Sequence, residues 1–442
     1  MYDEIDLNRA VSTYRLFFPT VSGAAIFKGN NAVGVVENSV FGTLETGPKH
    51  VGFTLNSDTP YAPLLLDLRE GPLVIEVPPG PLICIAMDLN QRWVLDMGIP
   101  GPDAGAGGRH LLLPPGYDGD IPDGYYVGRS TTYRVLGGIR SLPVGGDVKA
   151  ATERLTTVKV RPLDPEREWT APTWLDLTPG RQDTSPLRWE DNIGFWQALH
   201  EVIDAEPALP EFHVAYGDLA ALGIVKGRPF APDERMKRIL DRAARIGNAH
   251  MRVQSFADRR PDRVVWPDRH WEWAALRFEN GDFEQPDSLD VEAREKWFFQ
   301  AIGASPAMFR RDTNAGSLYW LGDRDSNGAY LAGSRTYRLT VPQPVPGKLF
   351  WSVTVYDART RSQIQTELDK AVLSSLFDFG EGTGEDTIDL YFGPTPPEGQ
   401  EHRWIQTLPD TGWFAYFRIY GPEMPAFDSS WKPGDFEPVA NH

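Results

Sequence analysis

The 442-residue sequence predicts a mainly β fold with a helical insert, in which two antiparallel, jelly-roll-like β-sandwiches are joined by an α-helical subdomain. Three observations predict it. Short apolar runs closed by Gly or Pro recur in two separate stretches. The stretch between them changes to helical spacing. The composition, with 42 Gly and 38 Pro beside 41% hydrophobic and 12% aromatic residues, supplies both the turns and the cores. The length exceeds one ordinary core, so the chain divides into an N-terminal sandwich over 1–164, a linker and helical subdomain over 165–312, and a C-terminal sandwich over 313–442.

In chain order, strands are expected at Leu73–Val77, Leu82–Asp88, Arg92–Asp96, Arg109–Leu113, Tyr125–Val127, Thr132–Leu136 and Thr157–Arg161. In the first of these Leu73, Ile75 and Val77 face inward against Val74 and Glu76, which suits a sheet with one covered face. The Gly-rich run Gly101 to Gly108 lies between strands and reads as a flexible loop. Pro165 to Pro186 shows no sustained period and reads as a surface linker. Phe195, Trp196, Leu199 and Ile203 then form one helical stripe, and Met236, Ile239, Leu240, Ala243 and Ile246 a second, with Asp233 and Glu234 where a helix dipole favours negative charge. A third helix starts near Asp290, buries Trp297, Phe298, Ala301 and Ile302, and stops at Gly303. Strands return at Tyr337–Val341, Leu349–Tyr356, Thr387–Phe392, Arg403–Gln406 and Trp413–Tyr420.

The two β regions carry an internal echo. Tyr61, Val77-Pro-Pro-Gly80 and a strand ending Met87-Asp88 parallel Tyr337, Val341-Pro342, Pro346-Gly347 and a strand ending Tyr356-Asp357. Duplication and coincidence both account for these matches at uneven spacing.

Asn56-Ser-Asp-Thr-Pro-Tyr61, Leu66-Asp-Leu68, Gly71-Pro-Leu-Val-Ile-Glu-Val-Pro78, Gly107 to Gly116 and Gly124 to Ile139 together resemble domain of unknown function 1254. Gly328 to Leu339, Phe350 to Asp357, Gly412 to Pro422 and Trp431-Lys-Pro-Gly-Asp435 resemble domain of unknown function 1214. The resemblance implies two β-sandwiches around a helical subdomain, arranged rather like the sandwiches of peptide N-glycosidase F, and it implies no settled activity. Members often carry a secretion or lipoprotein signal, and this sequence departs from that pattern.

A net charge of −17 argues against nucleic acid and anionic membranes as partners. The single cysteine, Cys84, lies in an apolar run without a basic neighbour and reads as an inert buried thiol. The acidic start without an apolar leader, and the lack of a run of about 20 apolar residues, make the cytoplasm the default location, with the periplasm the alternative if a leader has been removed. The histidines at 50, 110, 200, 213, 250, 270, 402 and 442 contain no close ligand pair, and no cofactor or metal is expected. There is no Gly-x-Ser-x-Gly elbow, phosphate loop or dinucleotide fingerprint. Asp323-Arg-Asp-Ser-Asn-Gly328 matches half a calcium loop, but Ser334 stands where a bidentate glutamate is required, so a tight turn is expected.

The strongest chemical candidate is Asn56 to Tyr61, where Asp58 is suited to general acid–base work with Tyr61 as its hydrogen-bond partner, and Asn56 and Thr59 could hold substrate. The same residue types equally make Asx and ST turns. On the strand Gly412–Gly421, Arg418 stands on one face with Phe414, Tyr416 and Tyr420, where it can hold a carboxylate or cover those rings with its stem. On Leu349–Asp357 the polar face of Phe350, Ser352, Thr354 and Tyr356 either lines a cleft, presenting Tyr356 and Asp357 to ligand, or is an ordinary solvent face. Two functions follow as expectations. One is a cofactor-independent hydrolase or lyase acting on a small or sugar-like molecule between the sandwiches, with Asp58 and Tyr61 catalytic and Arg418, Tyr356 and Tyr420 holding substrate. The other is a non-catalytic binding protein using its 14 Trp and 15 Tyr as platforms for carbohydrate or another small ligand.

Overall fold

The computed structural model describes residues 1–180, 188–277, 282–313, 316–379 and 386–439. The first sandwich has eight strands: β1 (Tyr61–Asp67), β2 (Leu73–Val77), β3 (Leu82–Asp88), β4 (Trp93–Gly98), β5 (Gly108–Leu113), β6 (Tyr126–Arg129), β7 (Arg134–Ser141) and β8 (Lys159–Pro162). They form two sheets in the orders β1-β7-β3-β4 and β6-β5-β2-β8. Period-two alternation sends Leu64, Leu66, Ile75, Cys84, Met97 and Ile139 into one core between them.

The second sandwich contains β9 (Ser317–Gly322), β10 (Thr336–Pro342), β11 (Gly347–Asp357), β12 (Val372–Ser374), β13 (Thr387–Gly393), β14 (Trp404–Gln406), β15 (Trp413–Pro422) and β16 (Phe436–Val439). Its sheets run β9-β15-β11-β12, with the short strand Trp271–Trp273 added beside β9, and β14-β13-β10-β16. Strand for strand this is the order of the first sandwich. Even the parallel pairs correspond, β5 with β6 and β13 with β14, among otherwise antiparallel neighbours. The internal echo therefore has a structural basis in β2–β3 against β10–β11. Tyr61 and Tyr337 are not equivalent, since Tyr61 lies on β1 and its counterpart is Tyr319 on β9.

The helical layer uses α1 (Tyr2–Ala32), α3 (Gly194–Ala205), α4 (His213–Ala221), α5 (Glu234–Phe256) and α6 (Val291–Gln300), while α2 (Val148–Leu155) edges the first sandwich. The Asp233 and Asp290 carboxylates cap α5 and α6 by accepting from the backbone N–H of Met236 at 2.7 Å and of Ala293 at 3.1 Å. The sequence reading left α1 out. It packs Ala10, Tyr14, Phe17, Phe18 and Val21 against Phe195, Trp196, Leu240 and Ala243, so the helical layer draws on both ends of the N-terminal half. Two further expectations are corrected. Ile246 is exposed at 38%, and Gly247 occupies the buried position because Tyr14 lies directly over it. The expected linker carries a strand, Thr173–Asp176, paired in parallel with Val40–Thr43; its residues 181–186 lie outside the described residues. The Gly101–Gly108 loop is anchored, with the buried Asp103 carboxylate accepting from Gly98 N–H at 2.8 Å and lying 3.2 Å from His110 Nε2. No helix among the described residues is long and apolar enough to cross a membrane.

Candidate functional site

Segment 52–58 precedes β1 and lies against the second sandwich. Gly52 N–H donates to Ser362 Oγ at 3.2 Å, Thr54 N–H to the Arg361 carbonyl at 2.8 Å and Ser57 Oγ to Gln363 Oε1 at 2.8 Å. The Tyr356 hydroxyl donates to the Leu55 carbonyl at 2.8 Å, and Arg418 Nη2 to the Thr54 carbonyl at 2.9 Å. Hydrogen bonds between the sandwiches gather at this segment and at Arg140. The polar face of β11 is thus not a solvent face: Ser352, Thr354 and Tyr356 are fully buried beneath the segment.

Asp58 is 1% exposed. Its Oδ2 accepts from Ser352 Oγ at 2.8 Å and from the Tyr420 hydroxyl at 3.3 Å, while Oδ1 has no partner among the described residues. Burial pushes the Asp58 carboxyl up, and Arg418, Ser352, Arg140 and Tyr420 pull it back. Tyr61 is not its partner. The Asn56 side chain bridges locally instead, accepting from Asp58 N–H at 3.1 Å and donating to the Tyr61 hydroxyl at 3.0 Å, so the Asx turn and the chemical candidate are the same object. Thr59 Oγ1 accepts from Arg140 Nε at 3.0 Å, and Arg140 Nη2 donates to the Tyr420 hydroxyl at 2.9 Å. Asp357 holds its own turn and Arg359, accepting from Arg359 N–H at 2.7 Å and Nη2 at 3.0 Å.

A cavity of about 1220 Å³ opens beside this cluster, between the β1-β7-β3-β4 sheet, the β9-β15-β11-β12 sheet and the helical layer. Six arginines line it, Arg140, Arg188, Arg252, Arg359, Arg361 and Arg418, and of these Arg140 and Arg418 come one from each facing sheet. Arg140 on β7 lies opposite Tyr61 on β1 and stacks 5.2 Å from its ring; Arg418 on β15 lies opposite Tyr319 on β9, 5.5 Å from its ring. The repeated strand order makes these equivalent positions. Arg418 is almost fully buried among Tyr319, Tyr356 and Tyr416, with Nη1 on Thr354 Oγ1 at 2.9 Å and Nε without a partner among the described residues. Asp58 is the carboxylate that both guanidiniums face, and it stands behind the cavity wall rather than in it.

The sequence reading named Asp58, Tyr61, Asn56, Thr59, Tyr356, Asp357, Arg418 and Tyr420, and these converge on the seam around the cavity, which Asn56, Tyr61, Asp357 and Arg418 line. It missed Arg140, Tyr319 and Asp96. Extending the echo from β3 and β11 to β7 and β15 would have set Arg140 beside Arg418. The Asp323–Gly328 segment is the expected turn, with Asp325 Oδ1 accepting from the N–H groups of Asn327 at 2.9 Å and Ala329 at 3.0 Å. Cys84 is buried, and its thiol is pushed up by burial. Among the described residues no group of three His, Cys, Asp or Glu could hold a metal ion.

Comparison with known proteins finds two families of unknown function in the expected order, DUF1254 over 41–162 and DUF1214 over 316–424. Among solved structures, the VPA0106 protein from Vibrio parahaemolyticus is similar in fold, with a TM-score of 0.58 at 15% identity over 98% of this chain and 100% of that one. An uncharacterised protein from Burkholderia cenocepacia aligns at a TM-score of 0.37 and 12% identity over 99% and 95%. No curated protein matches the chain.

Proposed function

We propose, from the premise that this chain belongs to the paired DUF1254 and DUF1214 families, that its inter-sandwich cavity binds a small molecule through an anionic group held by Arg140 and Arg418. The observation that carries this is the charge balance of one cluster: two guanidiniums, at equivalent positions of facing sheets, share one buried carboxylate, Asp58, whereas Arg359 and Arg361 elsewhere on the lining pair with Asp357 and Glu190. One positive charge is left over on this pair, of which Arg418 is almost fully buried, and an ionised ligand oxygen gains most from a charge so placed. Arg140 uses Nε and Nη2 internally, which leaves Nη1 for the ligand, and the Tyr61 and Tyr319 rings flank the two cations.

A direct test is calorimetric titration with a panel of small apolar carboxylic acids and their methyl esters. The acids are expected to bind, and the esters to bind at least about tenfold more weakly, a difference of about 1.4 kcal/mol. Esters that bind as tightly as their acids would remove the anion anchor. A second reading, hydrolase or lyase chemistry with Asp58 as general acid and base, draws support from the unpartnered Oδ1 of a carboxyl raised by burial. On that reading Asp58→Asn abolishes turnover of any substrate found, whereas on the binding reading ligand affinity survives the change.

A further inference from the structure

The cavity has a second polar end. Cross-strand partners share a face of a sheet, and the registers pair Arg140 with Ile83, Ile83 with Gly98, and Ile85 with Asp96. Asp96 therefore stands on the same face as Arg140, two strands away and two residues along. Strand spacing and rise put the two Cα atoms on the order of 12 Å apart. Asp96 lines the cavity together with Ser305 and is only 6% exposed. Ile83 and Ile85 cover the wall between the two ends, Met87 and Leu136 continue it beyond Asp96, and Ile302 lines the same space from the helical layer.

We infer that the ligand is an elongated amphipathic molecule, with a carboxylate at Arg140 and Arg418, an apolar middle over Ile83 and Ile85, and a hydroxyl at Asp96. This rests on the cavity being a ligand site with an anion anchor, and it adds the length, polarity pattern and orientation of the molecule. Burial pushes the Asp96 carboxyl up to about 7, with Ser305, the Ala307 backbone and Arg310 opposing, so at neutral pH the group both accepts and donates hydrogen bonds. A hydroxyl matches either form and adds a partner beyond Ser305 and the Ala307 backbone, which an alkyl terminus does not.

The test compares ω-hydroxydecanoate, decanoate and decanol on the full-length protein by titration calorimetry, then repeats the comparison on Asp96→Leu and Ser305→Ala. Binding of ω-hydroxydecanoate at least about tenfold tighter than decanoate is expected, with the preference lost or reversed in Asp96→Leu and reduced in Ser305→Ala. Equal affinity of ω-hydroxydecanoate and decanoate for the unaltered protein would overturn the assignment of Asp96 and leave the anion anchor standing. If neither acid binds, or decanol binds as well as they do, the anchor falls and this inference with it. The comparison on the unaltered protein decides the matter even where Asp96→Leu does not fold.

Discussion

Asp96 is held in a setting that penalises its own charge. Its folded carboxyl sits near 7 against an ordinary value of 3.8, so between those limits the native state binds more protons than the unfolded chain. Its contribution to stability is therefore greatest in acid and is lost as pH rises towards 7. Asp96→Asn is expected to stabilise the protein by a few kcal/mol at about pH 8 and by much less at about pH 5, as measured by urea unfolding. Equal effects at both pH values would place the carboxyl in its usual range. Asp58 is likewise pushed up by burial, but two cations, Arg418 and Arg140, oppose the shift. Asp58→Asn keeps room for the Ser352 and Tyr420 hydroxyls but leaves two buried cations without a counterion, with an expected loss of about 3 kcal/mol in urea. The same variant is expected to bind small carboxylates more tightly than the unaltered protein, because the ligand then supplies the missing charge.

Elements with a clean period were legible, and those buried on all sides were not. Twelve of the sixteen sandwich strands were read, to within about five residues, because Gly, Pro or Asp bounds them and they alternate between faces, whereas β1, β9, β12 and β16 were missed. Helix α1 escaped because residues 17 to 23 are all buried, Thr20, Ser22 and Gly23 among them, so no apolar stripe stands out, and Pro19 interrupts the run. Ile246 was misplaced by one position for a related reason, as a glycine scores as no side chain although its smallness is what the contact requires. The Cβ of Gly247→Ala would sit 2.2 Å from the Tyr14 ring, whose hydroxyl is tied to the Glu190 carbonyl at 2.6 Å. Overpacking of about 1–3 kcal/mol outweighs a helix-propensity gain of about 1 kcal/mol. A net loss is expected in chemical denaturation, and a more stable variant would mean that the ring swings aside. The candidate site was half legible. Asn56 to Tyr61 stood out by its side chains, but Arg140 acquires its meaning only from a partner sheet nearly three hundred residues away, which no local pattern encodes.

At the scale of the molecule, three layers meet at Arg361, which is 1% exposed. Its Nε donates to the Phe299 carbonyl at 3.0 Å, its Nη2 pairs with Glu190 at 2.5 Å, and it stacks on Phe53 at 4.3 Å, so one side chain touches the helical layer and the segment leading into the first sandwich. Arg361→Ala leaves Glu190 without its cation and is expected to cost about 3 kcal/mol. Scanning calorimetry is expected to show one transition for the unaltered chain and two for the variant; a single transition in both would mean that the layers are coupled elsewhere. The repeated strand order has a further consequence. In a symmetric homodimer any substitution at one arginine appears at its mate, and both halves of a shared chamber stay identical. Here the motif is written twice in one polypeptide, and each copy mutates alone. Ile83 on one sheet answers to Ser352 on the other, and Met87 to Tyr356. A single chain is under no such symmetry, and here the first sheet turns Ile83 and Met87 to the chamber while the second sets Ser352 and Tyr356 beneath segment 52–58.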